Sequence, residues 1–231
     1  MPALIFDLFG TLVDGRSDEL AHEELSKFLA EVHGGAFRPE EHLSIYRRLV
    51  EERDIGSADA VWTALEVLSE QKGFKVAVSR EDVEAIHAEF HGRYALIYDD
   101  AVRALEKAKS AVGKLGLVSD ADTKVADAIL DALGLRKYFD VVVTSGELGT
   151  KKPDPKLFIE AARRLRVSTR ECAVIGDSWK DVEGGKRAGM KVILVLRTQQ
   201  KAWDTTYEPD DRAGNLIEAV QKALKALTTR S

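Results

Sequence analysis

The sequence predicts an α/β fold: a doubly wound parallel sheet interrupted after its first strand by a helical domain. Three features predict it. Apolar runs at Ala3–Phe6, Leu115–Val118, Val141–Val143, Ala173–Ile175 and Val192–Leu196 are too short for helices and read as buried strands. Beyond residue 96 these runs alternate with helical patterns, and such alternation implies a parallel sheet covered on both faces. From Glu19 to about Tyr94 apolar residues recur at helical spacing with no strand among them.

The first strand stops on Asp7, and Gly10 lets the backbone turn where a Cβ would hinder it. Asp14-Gly15-Arg16-Ser17 is a turn, and Ser17 or Asp18 can cap the helix that follows. Successive helices are marked by Leu20, Leu25 and Leu29, by Leu43, Tyr46 and Leu49, by Val61, Leu65 and Leu68, and by Val83, Ile86 and Phe90. Gly34-Gly35, Asp54-Ile55-Gly56-Ser57 and Lys72-Gly73 separate them, so the block reads as a helical bundle. Asp99–Lys109 is helical, and the strand Leu115–Val118 ends at Ser119-Asp120. Lys124–Leu133 is a helix closed by Gly134, and Pro155–Leu165 is a helix with proline in its first turn. Ala173–Ile175 ends in Gly176-Asp177, Val182–Ala188 is a helix stopped by Gly189, and Leu216–Leu227 is a closing amphipathic helix. Gln199–Gly214 is polar and carries no clear pattern.

The 231 residues suffice for one full core and a smaller module. Hydrophobic content of 45% and charged content of 32% describe a soluble globular chain. A formal charge of −5 argues against a nucleic-acid partner, whose binding surface would be basic. No apolar stretch approaches the roughly 18 residues of a membrane span, and Asp7 interrupts the first apolar run, which argues against a signal peptide. The single Cys172 lies in an apolar run and reads as an inert buried thiol, in keeping with a cytoplasmic protein. Asn215 is the only asparagine, and sparse amides among many charged residues suggest a thermophilic source.

Four strand–loop junctions carry candidate chemistry. Asp7 is a carboxylate at a strand end, where open α/β sheets bind ligands, or the start of an Asx-type turn. Ser119 and Asp120 offer a hydroxyl and an acid at the second strand's end, or a helix cap. Lys152 stands before Pro153, which biases it toward extended backbone and helps aim its side chain; a solvated loop lysine is the plain alternative. Asp177 and Asp181 beyond the fourth strand suit a hard divalent cation, and also suit an N-cap and first-turn acid. His22, His33, His42, His87 and His91 are spread over the helical block and read as surface or packing residues. Trp62 and Trp203 read as packing residues, and so does Trp179, although it stands beside Asp177.

Phe6-Asp7-Leu8-Phe9-Gly10-Thr11-Leu12 resembles the first motif, D-x-D-G-T-L, of the haloacid dehalogenase superfamily. Ser119, Lys152 within Lys151-Lys152-Pro153-Asp154-Pro155, and Gly176-Asp177-Ser178-Trp179-Lys180-Asp181 resemble its other motifs in order. The resemblance implies a Rossmann-like catalytic core at 1–15 and 96–231, with a helical cap at 16–95 that closes over the core cleft about two linkers. It implies Asp7 as covalent nucleophile, and Ser119 and Lys152 as groups that hold the transferring phosphoryl, with Thr11 and Asp120 beside them. It also implies Mg²⁺ held by Asp7, the carbonyl of Phe9 and Asp177, with Asp181 acting through water or orienting the site. The substrate would be a small phosphorylated molecule.

One residue departs from the pattern. Phe9 stands where phosphatases of the superfamily carry a second Asp as general acid and base. The 2-haloacid dehalogenases carry an aromatic residue there, but their fourth motif lacks the metal-binding acid that this chain keeps. The favoured expectation is a Mg²⁺ phosphatase, with dehalogenase second. A protein that binds phosphorylated ligand or Mg²⁺ with weak turnover is third.

Overall fold

The computed structural model describes residues 2–53, 55–197 and 203–228. Asp54, expected in a turn, and Gln199 and Gln200, at the head of the patternless segment, lie outside them. Strand β1 is Ala3–Phe6. Four helices follow, α1 (Arg16–Val32), α2 (Pro39–Glu52), α3 (Ser57–Lys72) and α4 (Arg80–Arg93). Then come α5 (Ala101–Val112), β2 (Lys114–Ser119), α6 (Thr123–Ala132), β3 (Val141–Thr144), the short α7 (Ser145–Leu148) and α8 (Lys156–Leu165). The chain continues through β4 (Cys172–Gly176), α9 (Trp179–Arg187), β5 (Lys191–Val195), β6 (Asp211–Ala213) and α10 (Leu216–Thr228). β6 and α7 are too short for a periodicity to show, and the sequence gives no sign of either. Among the described residues no helix is long and apolar enough to cross a membrane.

The chain divides into two compact units. The first comprises residues 1–15, 96–120 and 134–231. Its six strands among the described residues form one parallel sheet in the order β3-β2-β1-β4-β5-β6. β1 is central and wholly buried, as a strand covered on both faces must be. Its alternate residues Ala3 and Ile5 join Phe158, Ala161 and Leu165 of α8 and Val182 of α9 in one core layer. The order reverses between β1 and β4, so the crevice at their carboxyl ends is the topological switch point. Cys172 is buried within β4, and burial pushes its thiol up to about 12.

The second unit comprises residues 16–95 and 121–133. α6, which the sequence pattern leaves with the α/β part, groups with the helices. A Cβ on Gly92 of α4 would lie 2.9 Å from the Ala128 carbonyl oxygen, so the two helices approach at backbone distance. Leu25, Leu29, Tyr46, Leu49, Val61, Leu65, Val83 and Phe90 form the core of this unit.

Three of the five histidines of the helical unit converge. His22, His42, His87 and His91 are all buried, and the rings of His22, His87 and His91 meet with centroids 4.4–5.2 Å apart. Burial pulls His22 and His42 down to about 4, so both are neutral at physiological pH. Packing was the expectation; convergence on one another was not, because helical spacing tells which face is buried but not which faces meet.

Candidate active site

The carboxyl ends of β1, β2 and β4, with the loop after β3, gather the candidate residues of the α/β unit. Phe6 is paired with Leu117 on one side and Ile175 on the other. That register puts Asp7 between the ends of β2 and β4, and its N–H donates to the Ile175 carbonyl at 3.0 Å. Gly10 turns the chain back at a φ of +88°, a conformation that favours glycine. A Cβ there would also fall 2.1 Å from Asp177 Oδ2, so only glycine leaves room for that carboxylate.

Lys152 is buried, and its ammonium bridges two acids. Nζ donates to Asp7 Oδ1 at 2.5 Å and to Asp181 Oδ1 at 2.7 Å. Burial would lower the lysine pKa, but Asp181, Asp7 and Asp120 outweigh it and raise it, so the ammonium stays charged. The Lys152 N–H donates to Asp120 Oδ1 at 2.8 Å, and Ser145 Oγ donates to the Asp120 carbonyl at 2.8 Å. Asp120 thus holds the loop that presents Lys152. The solvated-lysine alternative is removed by these contacts.

Asp181 is held from both sides. Ser178 Oγ and N–H donate to its Oδ2 at 2.6 and 3.2 Å, the return half of a capping box that opens α9. Asp181 stands in the first turn of α9, as expected of a first-turn acid, whereas the N-cap is Ser178 and not Asp177. Ser119 is buried at the end of β2, and Thr11 is buried with its Oγ1 lacking a partner among the described residues. Phe9 lies in the turn, bridged to Val13.

Asp7, Asp177 and Asp181 each offer a carboxylate oxygen, all within 4.8 Å of one another. Asp7 Oδ2 is buried and has no hydrogen-bond partner among the described residues. A buried carboxylate oxygen left bare beside two further acids is a fit for a hard cation with oxygen ligands, of which Mg²⁺ is one. Burial, with Asp181 and Asp177 close by, pushes Asp7 up to about 7 against the opposing pull of Lys152.

Sequence reasoning missed Arg197. Its guanidinium lies 3.8 Å over the Tyr98 ring, donates to the Thr11 carbonyl at 2.8 Å and pairs with Asp100 at 3.1 Å. It ties the Gly10-Thr11 turn to the start of α5. Its only sign in the sequence is its place just beyond a strand end. A cleft of about 270 Å³ beside Asp177 is lined by Trp179, Arg197, Trp203 and Arg212. Trp203, expected to pack, is 41% exposed there.

The family described as haloacid dehalogenase-like hydrolase matches residues 1–189. The glyceraldehyde 3-phosphate phosphatase of Methanopyrus kandleri is 34% identical over 139 residues, which cover 57% of this chain and 60% of that protein. The phosphoglycolate phosphatase of Aquifex aeolicus is 32% identical over 200 residues, 85% of each chain. The crystal structure of a 2-haloacid dehalogenase from Pseudomonas syringae superposes with a TM-score of 0.72 at 25% identity, covering 97% of this chain and 98% of that one. A match over so much of the chain, with four separated sequence motifs brought to one end of one parallel sheet, means that this protein belongs to the haloacid dehalogenase-like hydrolases.

Proposed function

We propose that the protein is a Mg²⁺-dependent phosphatase of small phosphorylated metabolites, acting through an aspartyl-phosphate on Asp7. The observation that carries this reading is the state of Asp7: one oxygen is held by the Lys152 ammonium and the other is buried without a hydrogen-bond partner among the described residues. A carboxylate fixed in this way is oriented for attack and needs no further activation than ionisation. Asp7 forms a bond to phosphorus as the bond from phosphorus to the leaving oxygen breaks. Water then attacks the acyl phosphate, and inorganic phosphate departs as Asp7 is regenerated. Lys152 would stabilise the phosphoryl oxygens, and the Ser119 hydroxyl would hydrogen-bond them. Asp7 and Asp177, with the Phe9 carbonyl and with Asp181 close by, would hold Mg²⁺, whose charge offsets that of the phosphoryl group. Two named relatives are phosphatases of small phosphorylated molecules, which supports the substrate class.

The test is phosphate release from a panel of phosphorylated metabolites with Mg²⁺ or with chelator. Turnover is expected only with metal. In Asp7→Asn it should vanish while the circular dichroism spectrum is unchanged, and acid-quenched native enzyme should carry one phosphoryl group on the Asp7 peptide. Turnover by Asp7→Asn at the native rate would overturn the reading. The second reading, a 2-haloacid dehalogenase, is favoured by the aromatic Phe9 and by the likeness to a dehalogenase structure. Chelator-resistant halide release from 2-chloroacids, without phosphate release from any ester, would establish it instead.

A further inference from the structure

The helical unit holds a second cluster of metal-ligating side chains, remote in sequence from the acids discussed above. It is built from two pairs of residues, each one helical turn apart: Asp18 and His22 on α1, and His87 and His91 on α4. His22, His87 and His91 are at most 3% exposed and offer ring nitrogens within 4.8 Å of one another.

Two of the rings are fixed by their far edges. His22 Nδ1–H donates to the Asp18 carbonyl at 2.7 Å, and His91 Nδ1–H donates to the His87 carbonyl at 2.8 Å. Each bond places a proton on Nδ1 and turns Nε2, the edge by which a ring would ligate, toward the cluster. Metal-bound histidines are oriented in this way, by a carbonyl on the other nitrogen. The third ring is held from its Nε2 edge, because His87 Nδ1 has no partner among the described residues. His22 Nε2 and His87 Nε2 are 3.2 Å apart. Two nitrogens bound tetrahedrally to one zinc ion at 2.0–2.1 Å would be about 3.3 Å apart. His91 Nε2 lies 3.1 Å from Asp18 Oδ1, which sets the Asp18 carboxylate at the fourth side of the cluster. Ser57 Oγ lies 3.1 Å from His22 Nε2, 3.0 Å from His87 Nε2 and 2.9 Å from the Tyr46 hydroxyl, which closes the cluster on the α3 side.

We propose that His22, His87 and His91, with Asp18 as a fourth ligand, form a tetrahedral site for a borderline-soft divalent cation, zinc or cobalt, that pins α1 to α4. Imidazole nitrogens select such ions over Mg²⁺. The site is independent of the chemistry at Asp7.

The full-length native protein is stripped of metal, given excess Mg²⁺ to occupy the acid cluster, and titrated with Co²⁺. The expected result is one equivalent bound, with the intense visible absorption of a tetrahedral nitrogen-rich site, displaced by Zn²⁺. Zn²⁺ alone should raise the Tm of the metal-free protein. X-ray absorption on the zinc form should show imidazole scattering from about three rings. His91→Gln and the half-exposed Asp18→Asn should each weaken Co²⁺ binding at least tenfold, whereas Asp177→Asn should leave the spectrum unchanged. Because His22→Gln could fail to fold, the native spectrum and the Asp18→Asn titration stand as tests without it. A pale octahedral Co²⁺ spectrum, or a spectrum lost in Asp177→Asn and kept in His91→Gln, would overturn the proposal. So would an unchanged Tm.

Discussion

At the scale of single residues the unusual position is Phe9. Expulsion of an alkoxide from a phosphate monoester needs a proton, and a positioned general acid contributes roughly 10²–10⁴-fold. A phenylalanine side chain cannot supply one. The rate is therefore expected to depend steeply on leaving-group pKa, with aryl and acyl phosphates hydrolysed well and alkyl phosphates slowly. Phe9→Asp should raise alkyl-phosphate turnover by about 10²-fold or more. A shallow dependence in the native enzyme would show that another group delivers the proton. Asp7 sets a second expectation. With its carboxyl pushed up to about 7 in the metal-free site, protons compete with Mg²⁺ for it. Apparent Mg²⁺ affinity should therefore fall by up to about tenfold for each pH unit below that value, and level off above it. Calorimetric Mg²⁺ titrations at several pH values would check the slope; a flat profile would place the titration elsewhere.

At the scale of elements, the site depends on how tightly the β1 turn approaches the end of β4. Gly10→Ala places a methyl group on Asp177 and a side chain in left-handed backbone. The backbone term costs roughly 1–2 kcal/mol, and the clash moves a proposed metal ligand. We expect Mg²⁺ affinity and turnover to fall at least tenfold while the protein stays folded, measured by metal titration beside thermal unfolding. An equal loss of both stability and affinity in a β-strand core variant such as Ile5→Ala would not separate these effects, which is why the turn is the informative place. The elements around it were largely legible. Strand ends at Asp7, Ser119 and Asp177 could be found because short apolar runs stop there. Asp181 could be read as a first-turn acid because cap chemistry is local, although the N-cap proved to be Ser178 rather than Asp177. Arg197 and the cleft-lining Trp203 were not legible, since their roles rest on contacts with residues distant in sequence.

At the scale of the whole molecule, the buried histidines of the helical unit and Asp7 of the α/β unit respond to pH in opposite senses. His22 and His42 titrate near 6.5 when unfolded but are pulled down to about 4 when folded. Between those values the unfolded state binds more protons, so the stability of the helical unit rises with pH and is lost as pH falls from about 6.5 to 4. Each ring contributes up to roughly 3 kcal/mol to that loss over the whole window. Asp7 is raised in the folded α/β unit, so there the folded state binds more protons between about 4 and 7, and its contribution to stability falls as pH rises. In metal-free protein, amide exchange is expected to lose protection in the helical unit first on acidification. His42→Gln, which removes a ring bonded to Ser26 Oγ and the Val61 carbonyl, should flatten that response. Acid loss starting in the sheet would contradict the assignment.

The sequence by itself determined the alternation of strands and helices, the insertion of a helical block after the first strand, and the four motifs at strand ends. Each of these is written in local spacing: a run of apolar residues, a glycine where the backbone must turn, an acid after a strand. Only the tertiary structure decided which residues meet. Lys152 reaches Asp7 across 145 residues of chain because strand register, not sequence distance, sets what lies beside a strand end. α6 joins the helical unit because Gly92 allows close approach to Ala128. The three histidines converge because two buried helix faces turn toward each other, and although His87 and His91 stand one turn apart, nothing in that spacing names His22 as their partner. Periodicity reports that a side chain is buried; the identity of its neighbour is fixed only when all the buried faces are satisfied together.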